Sequence, residues 1–301
     1  MDYKVPLETY NNRVREIVLG KGNRELKIGG QNILPLHYFE GHAPNKPVVA
    51  LQMDDNHANG WAEWVVEPYK DVVADPVKWA RRCVDLGADL VCLHLDGTDP
   101  KGLNRSAEEA GSLIKQVCSA VDRPLIVYGC GDEKKDVEVL TRVAEECRGE
   151  RILLGPAVKE NYEAIARAVA ENDHLIIAQT PLDINLEKEL NVKLLKQLSP
   201  DRIVIDPLSS ALGYGMEYSF TIMERTRQVA IVYGDTAMQM PIIADLGAEC
   251  WKTNQARANK TQGIMWECIT AISLLLAGAD IIVLRHPDNC TFIKEVIERK
   301  L

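Results

Sequence analysis

The chain has 301 residues, of which 46% are hydrophobic and 26% charged, the balance of a folded protein with a sizeable buried core. Its 35 Lys and Arg against 44 Asp and Glu leave a formal charge of −9, which speaks against a phosphate backbone as partner. The longest apolar stretches, such as residues 272–277 and 281–284, are far shorter than the roughly 20 residues of a membrane span.

The first residues carry Asp2, Lys4 and Glu8 with no apolar stretch, so no export signal and a cytoplasmic location are expected. Residues 24–28 and 31–34 flank Gly29-Gly30, the spacing of a two-residue hairpin. This ribbon is expected to plug the N-terminal end of the fold that follows, with residues 36–41 continuing the cover. From residue 48 onward, short β-branched runs alternate with helix-length amphipathic runs. Strands are expected at 48–53, 90–95, 125–128, 151–154, 175–179, 203–205, 242–244 and 281–284. Helical patterns fall at 76–86, 107–121, 134–148, 162–171, 186–198, 218–229, 262–277 and 289–300.

Punctuation agrees with this reading. Gly87-Ala88-Asp89 and Gly278-Ala279-Asp280 each end a helix before an apolar strand, and Asp75-Pro76 and Asn161-Tyr162 open helices. Continuous apolar strands suit a parallel sheet buried on both faces. The repeat is about 33 residues, near the roughly 250 residues of an eightfold barrel divided by eight. An α/β protein is therefore expected, a (β/α)8 TIM barrel over residues 48–301 with residues 1–47 as an N-terminal hairpin extension packed on it. An open doubly wound sheet is the structural competitor.

Chemistry in such barrels is built at the carboxyl ends of the strands. Those ends read Asp54-Asp55, Asp96-Gly97-Thr98, Gly129-Cys130-Gly131-Asp132, Gly155-Pro156, Gln179-Thr180-Pro181, Asp206-Pro207, Asp245 and Arg285-His286. The mouth is thus polar and rich in carboxylates. No strand core contains the desolvated lysine of a Schiff-base enzyme. Only the lone Gly247 and then Arg285-His286-Pro287 follow the last two strands, which disfavours a phosphate site. His94, Asp96, Asp245 and His286 are of metal-ligand type, although a buried, hydrogen-bonded polar layer accounts for them as well. His174 starts its strand and faces the wrong end. The eight cysteines include no pair separated by two residues, so a zinc or iron–sulfur centre is not expected on this chain, and reduced core thiols are. Asp55–Gly60 matches the Asp-x-His-x-x-Gly pattern by which some cobalamin domains offer a histidine to cobalt. The later serine and double-glycine elements are missing, which leaves His57 as a solvated loop histidine.

At the mouth loops the sequence resembles a known family, the small subunit of the corrinoid/iron–sulfur protein, also called the delta subunit of acetyl-CoA decarbonylase/synthase. The stretches that carry the likeness are LPLHYFEG (34–41), LDGTDPKGLNRS (95–106), YGCGDEKKDVEVL (128–140) and PLDIN (181–185). Two longer ones follow, IVIDPLSSALGYGMEYSFTIMER (203–225) and GIMWECITAISLLLAGADIIVLRHP (263–287). The resemblance implies a barrel related to pterin-binding methyltransferases. It implies a heterodimer with a large subunit that carries the corrinoid (cobalamin) domain and the iron–sulfur cluster. Such a pair carries a methyl group from a methyltetrahydropterin methyltransferase to acetyl-CoA synthase in the reductive acetyl-CoA pathway. The small subunit then contributes no catalytic residue and shares the corrinoid at the interface.

Candidate corrin contacts are Asp96, Gly97, Thr98, Gln179, Asp183, Asn185, Ser209, Ser210, Gly213, Tyr214 and Gly215. Asp183 and Asn185 also suit helix capping, and Gly213 and Gly215 a tight loop. Loops 54–69 and 248–260 carry no motif of the family. A second reading is a free-standing methyltransferase that binds methyltetrahydrofolate through Asp96 and Asp206. A barrel hydrolase is the third.

Overall fold

The computed structural model describes residues 6–41 and 43–300. Two short strands come first, β1 (Ile17–Leu19) and β2 (Leu26–Ile28), paired antiparallel with Ile17 opposite Ile28. A hairpin is therefore present, but not the expected one. Its turn lies at residues 20–25, before Gly29-Gly30, and residues 31–34 form no strand. Gly29 serves a close approach instead. A Cβ there would sit 2.1 Å from the Arg15 carbonyl oxygen, and φ is +78°.

Eight parallel strands follow: β3 (Val48–Asp54), β4 (Leu90–His94), β5 (Leu125–Tyr128), β6 (Leu153–Ala157), β7 (Leu175–Gln179), β8 (Ile203–Asp206), β9 (Ile243–Asp245) and β10 (Ile281–Leu284). Their order around the sheet is β8-β7-β6-β5-β4-β3-β10-β9. The ring is drawn shut between β8 and β9 by a single parallel bridge, Ile205 to Ile242, with the Ile205 N–H donating to the Pro241 carbonyl at 2.8 Å. This is the expected TIM barrel. β6 begins two residues later than expected, because Arg151 turns the corner at φ +50°.

The helices follow the expected pattern, with three short additions in the mouth loops. In chain order they are α1 (Glu63–Val66), α2 (Pro76–Asp85), α3 (Ala107–Ala120), α4 (Glu133–Glu146), α5 (Tyr162–Asn172) and α6 (Ile184–Leu194). Then come α7 (Met216–Ile231), α8 (Gly247–Lys252), α9 (Asn254–Ala258), α10 (Lys260–Leu276) and α11 (Pro287–Lys300). Asp75 caps α2 as the sequence signals, accepting from the amides of Val77 and Lys78, but Asn161 makes no side-chain cap to α5, its Oδ1 accepting instead from the Val158 amide at 2.7 Å; Ser106 and Glu109 form a reciprocal capping box on α3. No helix among the described residues is long and apolar enough to cross a membrane.

Alternation along the strands divides their side chains into two layers. Val49, Leu51 and Met53 face the helices, whereas Val48, Ala50, Leu90, Cys92, Ile126, Ile177 and Val283 point inward. Ile17, Leu19 and Ile28 of the ribbon join that inner cluster, so the ribbon closes the bottom of the barrel. Above the apolar floor, the same alternation puts a polar layer at the top.

Candidate functional site

Two residues beyond the apolar floor, the inward positions are Gln52, His94, Gln179, Asp206, Asp245 and Arg285, carried by β3, β4, β7, β8, β9 and the end of β10. They form a polar layer at one height in the barrel. Asp206 is 1% exposed and accepts hydrogen bonds from the Tyr128 hydroxyl at 3.0 Å, Gln179 Nε2 at 2.8 Å and the Leu208 amide at 2.9 Å. Burial, aided by the charge of Asp245, pushes its carboxyl up to about 6 against the hydrogen bonds that hold it down. His94 stacks on Tyr128 with ring centroids 4.8 Å apart, and its Nε2 lies 3.0 Å from Asp245 Oδ2. Burial pulls the imidazole down, yet the carboxylates of Asp245 and Asp96 carry it above its ordinary value.

Arg285 donates from Nε to Gln52 Oε1 at 2.8 Å, and its guanidinium lies 3.9 Å from the centre of the Trp61 ring. Beneath it, Glu267 of α10 is fully buried. Its carboxylate accepts from the amides of Arg285 (2.7 Å) and His286 (3.2 Å), from Trp251 Nε1 (3.0 Å) and from Asn289 Nδ2 (2.8 Å). That network fixes the segment from which Arg285 projects.

Over this layer opens a cavity of about 560 Å3, walled by Asp96, Gln179, Leu182, Leu208, Ser209, Ser210, Ala248, Glu249 and Lys252. Several buried polar atoms around it have no partner: Ser209 Oγ, Asp245 Oδ1 and Gln52 Nε2. Buried groups of this kind are costly unless a ligand or water completes them. Gln179 and Leu208 also wall a second, more apolar cavity of about 390 Å3 beside it, lined further by Pro156 and Thr180.

The residues singled out in the sequence separate into groups. Asp96, Gln179, Ser209 and Ser210 face the cavity. Gly97 and Thr98 lie buried under the rim. The Gly97 amide donates to Asp55 Oδ1 at 2.6 Å, and the Thr98 hydroxyl donates to the Leu95 carbonyl at 2.7 Å. Asp183 caps α6, accepting from the amides of Asn185 and Leu186, and the Asn185 side chain is exposed. Gly213 and Tyr214 are exposed on the loop before α7, where Tyr214 donates to Gln255 Oε1 at 3.0 Å. Gly215 ends that loop as the N-cap of α7, at φ +104°.

His286 does not join His94, Asp96 and Asp245. It points away from the barrel axis and stacks on Trp251 at 5.8 Å between centroids. Among the described residues no group of three His, Cys, Asp or Glu side chains is placed to hold a metal, and all eight cysteines are free thiols. His174 is a core histidine, accepting at Nδ1 from the Ile152 amide, and His57 is an exposed loop residue.

Some site residues had no role in the sequence reading. Glu249 and Lys252 come from α8, inside the loop that carries no family motif. Gln52 and the inward turn of Arg285 were legible only by counting alternate positions along β3 and β10 up to the polar layer.

A family described as CO dehydrogenase/acetyl-CoA synthase delta subunit matches residues 16–300. The acetyl-CoA decarbonylase/synthase complex subunit delta of Methanothermobacter thermautotrophicus is 36% identical over 308 residues, covering 99% of this chain and 78% of the relative. That of Archaeoglobus fulgidus is 38% identical over 312 residues, covering 96% and 69%. Among solved structures, Xanthomonas albilineans dihydropteroate synthase with 4-aminobenzoic acid superimposes with a TM-score of 0.59 at 13% identity, over 87% of this chain and 96% of that one. Yersinia pestis dihydropteroate synthase with a pterine–sulfa conjugate gives 0.60 at 12% identity, over 84% and 92%. Those two likenesses concern the fold alone. On the match that spans the ribbon and the whole barrel, the chain belongs to the CO dehydrogenase/acetyl-CoA synthase delta subunit family.

Proposed function

We propose that this chain is the small subunit of a corrinoid/iron–sulfur methyl carrier. Its barrel mouth caps a corrinoid held by a large partner subunit, and the pair passes a methyl group from a methyltetrahydropterin methyltransferase to acetyl-CoA synthase. The observation that carries this reading is the family match across residues 16–300.

The mouth fits such a cap. Its cavity of about 560 Å3 is too small to take in a whole corrinoid, so a ring would rest across the rim. Corrin peripheral carboxamides both donate and accept hydrogen bonds. The unpartnered Ser209 Oγ and Asp245 Oδ1 and the Gln179 amide suit that chemistry. A corrinoid supplies the methyl-carrying metal when bound. The residues of this chain orient its edge and exclude water, and burial pushes the thiol of Cys130, at the end of β5, up and keeps it protonated. His94 is held below the rim between Tyr128 and Asp245.

The test is reconstitution. Copurified with the large subunit, the chain should form a complex that retains corrinoid absorbance, and Ser209→Val, which removes a hydroxyl with no partner in the fold, should lower retention several-fold without altering the melting point of the chain. Alone, the chain should neither bind methyltetrahydrofolate nor methylate free cobalamin. Turnover of that donor by the lone chain overturns the proposal in favour of the free-standing methyltransferase, with Asp96 and Asp206 as its pterin contacts.

A further inference from the structure

The second cavity, of about 390 Å3, falls within the roughly 300–1,000 Å3 usual for small-molecule sites. It lies between the turn before α5 and the first turns of α6, because the inner face of α6 is engaged elsewhere. Glu187 accepts from the Thr226 hydroxyl of α7 at 2.8 Å, and Asn191 Nδ2 donates to the Ala237 carbonyl at 3.0 Å. The adjoining face of the helix, Leu186, Leu190 and Lys193 at i, i+4 and i+7, is left to wall the cavity. Pro156, Val158, Pro181 and Leu208 complete an apolar wall, and Leu186 and Leu208 are each 39% exposed.

One residue of this wall points to a ligand. Thr180 is 6% exposed, its amide is fixed on the Asp206 carbonyl at 3.0 Å, and its hydroxyl has no partner. A buried hydroxyl in that state is costly until something completes it. Beside it, Gln179 donates from Nε2 to Asp206, while its Oε1 accepts from no group among the described residues. The other polar groups of the wall are already engaged. Asp136 receives the amides of Cys130 and Gly131, Asn161 bridges the Val158 amide and the Pro156 carbonyl, and Lys193 pairs with Glu189 at 2.6 Å. Glu133, Lys159 and Glu160 stand at the exposed rim, where water and salt screen them. Among the described residues, no unpaired charge is left inside to receive an ion, and an ion buried without a partner is strongly disfavoured.

We infer that this cavity is a binding site for a small uncharged molecule with an apolar body and an amide edge. The N–H of that edge donates to Gln179 Oε1, its carbonyl accepts from the Thr180 hydroxyl, and the leucines and prolines cover the body. Gln179 also holds Asp206, so an occupant of this site is linked through one side chain to the polar layer of the mouth. The inference stands on the cavity and does not depend on the function proposed above.

Ligand-detected NMR titration of the full chain with benzamide tests this, with benzoate and benzamidine as its anionic and cationic isosteres. Benzamide should bind with a Kd of about 1 mM, ordinary for so small a molecule, and both isosteres about tenfold more weakly or worse. Thr180→Val keeps the shape of the side chain and removes the hydroxyl, so it should weaken benzamide about fivefold. Leu186→Trp, which fills the cavity from its exposed side, should abolish binding, whereas Glu249→Trp at the rim of the mouth cavity should leave it intact. Melting curves verify that each variant folds. No binding by wild type up to about 10 mM, isosteres that bind as well as benzamide, or equal binding by Thr180→Val each overturn the inference. Loss of binding in Glu249→Trp but not in Leu186→Trp would put the ligand in the mouth and refute it too. If the complex assembled with the corrinoid-loaded large subunit no longer binds benzamide, an arm of the corrinoid fills the cavity and a separate ligand is ruled out.

Discussion

Replacing Glu267 by alanine isolates the network that holds the segment carrying Arg285. The carboxylate receives four hydrogen bonds of 2.7–3.2 Å in a site with no solvent exposure. Removing it strands two backbone amides, the Trp251 indole and the Asn289 amide. Hydrogen bonds to charged groups contribute roughly 1.5–3 kcal/mol each, but the four share one carboxylate and are not additive. The cavity left behind also admits a water that recovers part of the loss. Breaking one side of a buried charged network costs about 3–5 kcal/mol, and that is the expected destabilisation. In a domain of this size it corresponds to a melting point lower by roughly 6–15 °C. Glu267→Gln keeps the shape and one acceptor oxygen while turning an N–H2 towards two donors, so about half the loss is expected. Urea unfolding of the three chains measures the series directly. A loss below about 1 kcal/mol for the alanine variant would refute the assignment of this carboxylate as the anchor of the β10–α11 segment.

Three further outcomes follow from the geometry. Asp206 holds its proton up to about 6 in the fold against an ordinary 3.8, so the stability this proton contributes is complete below about pH 4 and is lost as pH rises through 6. The stability difference between wild type and Asp206→Asn should therefore move against wild type by roughly 3 kcal/mol between pH 4 and 7 and then level off; a difference independent of pH contradicts the burial argument. Gly129→Ala places a Cβ 2.2 Å from Asp136 Oδ1, forcing that carboxylate off the amides of Cys130 and Gly131, and a cost of about 2–3 kcal/mol is expected by denaturant titration, with a silent variant counting against it. Ile28→Ala should cost about 2–5 kcal/mol if the ribbon is a true part of the barrel floor, and a cost under 1 kcal/mol in the same titration would make it a loosely held arm.

The alternation of strands and helices was legible because both periods are local. A buried parallel strand needs an unbroken apolar run, and a covering helix needs one apolar stripe with a cap at each end. Those demands fall on neighbouring residues, so the eight strands and the long helices could be placed from the chain alone. Gly29-Gly30 misled because glycine serves turns and close approaches alike, and only the carbonyl of Arg15, remote from any local pattern, decides which. α8 and α9 escaped for a related reason: they are too short to show a period.

The sequence by itself determined the barrel, its apolar floor, the list of polar residues at the strand ends and the stretches that carry the family likeness. The tertiary structure decided which of those polar residues meet. It set Asp206, Gln179 and Tyr128 on one hydrogen-bonded layer, turned Arg285 inward and His286 outward, and withdrew Gly97 and Thr98 beneath the rim. The physical reason is that a strand end fixes only the height of a side chain in the barrel. Which neighbour it faces depends on register between strands far apart in sequence, and only closure of the ring sets that register.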